Sequence, residues 1–325
     1  MEGKKASIIM ILEVLKKYSD EQHFLTQNEI IRKVHQLYGI DLERKSVANS
    51  IKVLMDLGYD IQKGEPSGFA LFGRLFDTPE VYFLVDSILS SRSVNGNEAS
   101  RLVNKIYSTQ SRYQKRSYRM YKADALTRTK SQETFLNIEV INEAIAKEKW
   151  IAFKYMGYDE NGKPALRYNG YEFHRSPCFL TSSQGRYYLV CYGRKYQKAE
   201  SYRVDFMKDV KIMDDRDRVP LEEIHDFQNY SSIEDYINDH IYLFGGEVIE
   251  AEFEIRNPNF IINIQDWFGD KARIRKCDDR LIATIRNEED ALFYWALQYY
   301  DQVRILNPLS LRNRVKEAGK KISEE

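Results

Sequence analysis

Between Ser7 and Tyr18, apolar residues at 8, 11, 12 and 15 fall at helical spacing and predict a first helix. A second opens at Thr26-Gln-Asn-Glu29, a capping-box pattern, and runs through Ile30, Ile31, Val34 and Leu37 to a stop at Gly39. A third is expected over 42–57, with Val47, Ile51 and Leu54 inward and Gly58 as its terminator. Two short strands, 59–61 and 69–71, then flank the turn-rich stretch 63–68. Further on, the pattern predicts helices over 79–90, 97–120 and 133–148. Strands are expected at 151–155, 167–171, 187–192 and 202–207, separated by turn signals at Asn161-Gly162, Gln184-Gly185 and 194–200. Alternating strands of this kind suit a small, strongly bent barrel. Residues 214–240 read as an acidic surface segment with a short helix, and residues from Glu247 onward as strand, helix, strand, strand, helix, strand, helix.

Three helices followed by a hairpin within 75 residues is the order of a winged helix-turn-helix, in which the second helix of the pair enters the major groove. With Val47, Ile51 and Leu54 turned inward, the third predicted helix leaves Arg44, Lys45, Ser46, Asn49, Ser50 and Lys52 at its start and outer face. No acidic residue occurs from Arg44 to Met55, so no carboxylate there repels phosphate. Arg and Lys suit guanine edges or phosphates, Asn suits adenine, and Lys63 on the wing is placed to reach the backbone. An ordinary solvated helix is the plain alternative.

At 325 residues the chain is long enough for two or three domains. Lysine plus arginine and aspartate plus glutamate both number 49, a formal net charge of zero. That excludes a uniformly basic nucleic-acid coat. The zero hides local extremes: residues 101–130 carry a net +8, and residues 214–254 a net −11. Such asymmetry marks electrostatic faces, one of which could meet phosphate, although the two stretches could equally face each other or solvent. Three widely spaced cysteines (Cys178, Cys191, Cys277) argue against a disulfide framework and for a reducing, cytoplasmic setting. Neither a membrane span nor a signal peptide is expected.

On the predicted strands, Tyr155, His174-Arg175-Ser176-Pro177, Tyr187-Tyr188 and Tyr202-Arg203-Val204-Asp205 combine aromatic faces that stack on bases with arginine forks that bind phosphate. Strand alternation allows only one of Tyr187 and Tyr188 to line a given pocket. Core and interface use of these tyrosines remains the alternative, with Asp205 holding Arg203 in place. Enzyme motifs are missing: no GxSxG, GxxxxGK, GxGxxG, HExxH or CxxC occurs, so no catalytic residue is expected. The five histidines show no metal spacing, and His225 and His240 are expected in a solvated acidic loop, so neither metal nor cofactor is expected.

The stretch His174-Arg-Ser-Pro-Cys-Phe-Leu180, then Gly185-Arg-Tyr-Tyr-Leu-Val190, then Ser201-Tyr-Arg-Val-Asp-Phe-Met-Lys-Asp-Val210 resembles the WYL domain. The Trp-Tyr-Leu tripeptide that names that family stands here as Tyr187-Tyr188-Leu189, and the second arginine of its later motif is replaced by Phe206. Asn257-Pro-Asn-Phe260, Asp266-Trp-Phe-Gly269, Trp295 and Val303-Arg-Ile-Leu-Asn-Pro308 are similar to the extension that commonly follows it. The resemblance implies an α+β multidomain chain: a winged helix-turn-helix (1–75), a helical linker (76–132), an Sm-like, SH3-type small β-barrel WYL domain (133–213), an acidic linker (214–244) and a C-terminal α+β extension (245–325). It implies a bacterial or phage transcriptional regulator, a homodimeric repressor that meets a double-stranded DNA operator. Its WYL domain would sense a nucleotide or single-stranded nucleic-acid effector. By matching position the ligand residues would be Tyr155, His174, Arg175, Ser176, Tyr188, Tyr202, Arg203 and Asp205, with the basic helix over 101–122 linking sensor to reader. The alternative is a single-stranded nucleic-acid-binding accessory protein whose winged helix serves dimerisation.

Overall fold

The structure is a computed structural model that describes residues 6–65, 67–114, 128–194 and 197–324. The chain forms two compact units, Met1–Lys130 and Ser131–Glu325.

In the first unit, α1 (Ser7–Tyr18), α2 (Gln27–Tyr38) and α3 (Arg44–Asp56) precede an antiparallel hairpin, β1 (Ile61–Gly64) and β2 (Gly68–Leu71). The inward positions predicted from spacing close one core: Ile11 and Leu15 of α1, Ile30 and Val34 of α2, Val47, Ile51 and Leu54 of α3, and Ile61 and Leu71 of the hairpin. The capping box forms, with the Glu29 amide donating to the Thr26 hydroxyl at 3.3 Å and the Thr26 amide to the Glu29 carboxylate at 2.8 Å. Gly39 then ends α2 in the left-handed conformation, at φ 68°, which a residue without Cβ adopts freely. Two more helices follow, α4 (Thr78–Ser90) and α5 (Gly96–Ser108), packed through Val81, Val85, Leu89, Val103 and Tyr107. The helix expected to reach residue 120 ends at Ser108. There the hydroxyls of Ser108 and Thr109 donate to the carbonyls of Lys105 and Ile106, giving the backbone an alternative to the helix ladder. Most of the basic run beyond it, including Lys115, Arg116, Arg119 and Lys122, lies outside the described residues.

The second unit opens with α6 (Thr134–Ala146) and a six-stranded antiparallel sheet of β3 (Lys149–Tyr158), β4 (Pro164–Leu166), β5 (Glu172–Ser183), β6 (Arg186–Gly193), β7 (Lys198–Arg203) and β8 (Met207–Asp217). Strand β3 pairs with β4, β5 and β8, and β5, β6 and β7 continue the ladder. No ladder joins β7 to β8 among the described residues, so the expected barrel is met only as an open sheet. Three local expectations are corrected. Residues 168–170 are a tight turn and no strand, because Tyr168, Asn169 and Gly170 all have positive φ. A turn at 204–206 breaks the strand expected over 202–207 into β7 and β8. The four strands bounded from the sequence omit β5, the long strand that carries His174 to Pro177.

The acidic segment is no mere surface loop. It contains α7 (Ile233–Asn238), and Ile224, Phe227 and Tyr236 bury themselves against Cys178, Phe179, Val190 and Ala199 of the sheet. His240, expected in solvent, is 4% exposed and stacks on Tyr236 with ring centres 4.0 Å apart.

The last segment runs β9 (Val248–Ile255), α8 (Ile261–Phe268), β10 (Arg273–Cys277), β11 (Arg280–Glu288), α9 (Glu289–Gln298), β12 (Val303–Asn307) and α10 (Leu309–Glu324). This is the predicted order of elements, and the sheet order β10-β11-β9-β12, all antiparallel, makes it a split βαβ arrangement. On β9 the period of two is plain: Ala251, Phe253 and Ile255 enter a core around Trp295, while Glu250, Glu252 and Glu254 alternate with them. No helix among the described residues is long and apolar enough to cross a membrane.

Candidate ligand site and nucleic-acid interface

On the first unit, Arg44, Lys45, Asn49 and Lys52 of α3 are exposed, as is Lys63 of the hairpin. Ser46 is half-buried. Ser50 corrects the sequence reading: it is buried on the inner side of α3, beside Ile51 and Val47, and has no outward face to offer. Although 19 positions apart, Arg44 and Lys63 line one cleft of about 560 Å³ together with Gln27, Asn28 and Ser67. The Arg44 guanidinium donates from Nε to Asn28 Oδ1 at 2.9 Å. Sequence reasoning missed Gln27, Asn28 and Ser67. The signal was the capping box, which places residues 27 and 28 in the first turn of α2, where free backbone amides favour anions.

On the second unit, β6 and β7 set Tyr188 directly opposite Arg203. Arg203 grips Asp205 with both arms of its fork, Nε to Oδ1 at 3.1 Å and Nη2 to Oδ2 at 2.7 Å. Its guanidinium carbon lies 3.9 Å from the centre of the Phe206 ring, and its backbone amide donates to the Tyr155 hydroxyl at 3.1 Å. Burial pushes the Tyr155 phenol above its ordinary range, so it stays neutral. Arg186 Nη1 stands 4.0 Å from Asp205 Oδ2, so one carboxylate, itself fully buried, faces two guanidinium groups. Sequence reasoning missed Arg186, although it is two residues from Tyr188 on β6 and therefore shares its face.

Arg175 forms a second, internal network. Nε donates to Glu200 Oε2 at 2.6 Å, Nη2 to the Tyr202 hydroxyl at 2.9 Å and Nη1 to the His174 carbonyl at 2.9 Å. The Tyr202 hydroxyl in turn donates to Glu200 Oε2 at 2.9 Å. Gly193 permits this packing, since a Cβ there would sit 3.0 Å from Arg175 Nε. The Tyr202 ring meets that of Tyr155 edge-on at 5.2 Å and thereby joins the two networks. The side chains of His174 and Ser176 stand apart from them. His174 Nε2 lies 3.1 Å from Glu172 Oε1. Ser176 corrects the expected ligand set: it is fully buried, and its hydroxyl accepts the Val219 amide at 2.8 Å, so it is a brace within the fold.

The structure thus gathers Tyr155, Tyr188, Tyr202, Arg203 and Asp205, with Arg186 and Phe206 added. Arg203 and Arg186 beside Asp205 set guanidinium groups among aromatic faces, residue types able to hold an anion and stack a flat ring. Among the described residues no group of three or more His, Cys, Asp or Glu side chains could hold a metal ion.

Residues 137–212 match the family model of the WYL domain. No curated protein matches the sequence. Among solved structures, proteasome accessory factor B/C (PafBC) of Arthrobacter aurescens is similar at 16% identity and a TM-score of 0.30, over 96% of this chain and 47% of that one. The chain therefore spans about half the length of that protein. A CRISPR Cas-related protein is similar at 15% identity and a TM-score of 0.37, over 98% of this chain and 84% of that one.

Proposed function

We propose that this chain, which carries a WYL domain at residues 137–212, is a ligand-responsive transcriptional regulator that binds double-stranded DNA as a homodimer and acts as a repressor. Residues 1–75 of the first unit are its winged helix-turn-helix, with α3 as the recognition helix and the β1–β2 hairpin as the wing. The observation that carries the reading is the outer face of α3, where Arg44, Lys45, Asn49 and Lys52 are exposed and no carboxylate intervenes from Arg44 to Met55. Asn49 and Lys45 read base edges, while Arg44 and Lys63 take phosphate beside the first turn of α2. Two copies of α3 then address half-sites about one helical turn apart, roughly 34–36 Å.

The WYL domain is the sensor. Its ligand, a nucleotide or single-stranded nucleic acid, sets a phosphate against Arg203 and Arg186 and a base against Tyr155, Tyr188 or Phe206. It shifts DNA binding only through a difference in affinity between the two states of the dimer. No reaction and no cofactor is assigned to the chain.

Titrating duplex from the gene's own upstream region at two salt concentrations tests this. Specific binding that weakens steeply with salt is expected, because phosphate contacts release counterions. Lys45→Ala with Asn49→Ala removes sequence-specific duplex binding on this reading. Unchanged duplex binding would instead favour a single-stranded nucleic-acid-binding accessory protein in which the winged helix pairs protomers.

A further inference from the structure

A cleft of about 790 Å³ opens in the first unit, apart from both sites above. It lies between the end of α1, the end of α2, the strand leaving the hairpin and the end of α5, and Arg74 lines it. The Arg74 guanidinium is half-buried, and its hydrogen-bond partners among the described residues are neutral: Nη1 donates to the carbonyls of Lys16 at 2.9 Å and Thr109 at 3.5 Å, and Nη2 to that of Ser19. The carboxylates that act on it from farther off are Glu21 and Asp20. Both are engaged elsewhere, Asp20 with His23 and Ser111, and Glu21 with Gln114. A cation withdrawn from water without a counter-ion in contact is costly, and an anion offsets that cost.

Two further features define the chemistry. Arg74 Nε, a donor, and Gln110 Oε1, an acceptor, are buried without a hydrogen-bond partner among the described residues, and both residues line the cleft. Part of the wall is apolar and exposed, with Leu75 76%, Leu37 43%, Tyr38 42% and Tyr59 38% exposed. Lys17 adds a second positive charge, whereas Glu13, the one acidic lining residue, is paired with Lys16 at 2.9 Å. The volume falls in the range of small-molecule sites.

We propose that this cleft binds a small organic anion with a flat apolar body, its negative group on Arg74 and Lys17 and its body against Tyr38, Tyr59 and Leu75. This is a second ligand site, on the DNA-reading unit, and it stands whether or not the chain binds DNA.

The test uses the full chain and three probes, followed by calorimetry and by chemical-shift changes: 2-naphthoate, its uncharged analogue 2-naphthylmethanol, and inorganic sulfate. Saturable binding of one naphthoate per chain is expected, with the neutral analogue and sulfate each at least about tenfold weaker. Arg74→Gln should weaken naphthoate at least about tenfold. Because Arg74 also ties three carbonyls, Leu75→Glu and Lys17→Glu carry the test if that variant fails to fold. Both lie on the exposed wall, and each should weaken naphthoate by about tenfold while leaving the melting temperature unchanged. Equal binding of naphthoate and its neutral analogue, or naphthoate affinity unmoved by Leu75→Glu and Lys17→Glu, would overturn the proposal, as would the absence of naphthoate binding.

Discussion

Arg203 and Asp205 lie two residues apart across a tight turn and meet through a two-armed ion pair, at 3.1 and 2.7 Å, with the carboxylate fully buried and the guanidinium 22% exposed. The pair closes the joint between β7 and β8 and at the same time presents a cation to the surface. Its two members should therefore respond differently to removal. Arg203→Ala leaves a buried carboxylate with Arg186, at 4.0 Å, as its remaining cationic neighbour among the described residues, and should cost about 2–3 kcal/mol of stability. Asp205→Asn removes the charge that needs compensation and should cost less. Urea unfolding of both variants checks the ranking. If Arg203→Ala also abolishes ligand binding yet leaves ligand-dependent DNA release intact, the WYL domain is not the sensor.

On the outer face of α3, exposure separates residues that the sequence grouped together. Lys63→Ala, at a residue assigned to phosphate, should lower affinity for all duplexes and reduce the salt slope by about one. Asn49→Ala should cost about 1–3 kcal/mol on the preferred sequence alone. Ser50→Ala, on the buried side of α3, should leave both unchanged. Fluorescence anisotropy with matched and scrambled duplexes distinguishes the three.

Thr26→Ala deletes the hydroxyl that accepts the Glu29 amide and should cost about 1 kcal/mol, read from the denaturation midpoint. The Thr26 amide and hydroxyl, donating to the Glu29 carboxylate, hold it below its ordinary range. That contribution is complete above the ordinary glutamate value of about 4.3 and is lost as pH falls through the lowered one. Thr26→Ala should flatten acid unfolding in that window.

His240 behaves in the opposite sense to an ion-paired histidine. Burial pushes its pKa down, and Nδ1 lies 2.8 Å from the Tyr236 carbonyl oxygen. Above about pH 6.5 the folded and unfolded chains both hold it neutral; below that the unfolded chain takes up a proton that the folded one resists. Stability should therefore fall on passing from about pH 7.5 to about pH 5.5, and His240→Gln should reduce that fall. Thermal melts at the two pH values measure it.

Thiol labelling gives a separate check on the core. Burial pushes the Cys178 thiol up to about 12 and that of Cys191 well above its ordinary value, while Cys277 is exposed. Iodoacetamide should modify Cys277 alone in the native protein and all three cysteines in denaturant. Modification of Cys178 or Cys191 at the rate of Cys277 would contradict the packing of β5 against β6.

Periodicity and capping signals alone determined the first three helices, the capping box at Thr26 and Glu29, and the order of the last seven elements. Each follows from local chemistry: apolar spacing, a side chain that caps its own helix, or alternation along a strand. The acid-free run from Arg44 to Met55 was equally legible, because charge belongs to the chain whatever its fold. What lies inside was less so. Ser50 and Ser176 read as polar contacts and are buried, and for Ser176 the fold supplies the Val219 amide as partner. His240 and Tyr236 read as part of an acidic loop, yet aromatic rings in that loop found an apolar sheet face at Phe179 and Val190, far away in sequence. The placing of Arg44 and Lys63 on one cleft, the second arginine on Asp205 and the Arg74 guanidinium set among backbone carbonyls were decided only by tertiary structure. Each depends on which backbone another segment brings within a few ångströms, a distance that one-dimensional patterns do not carry.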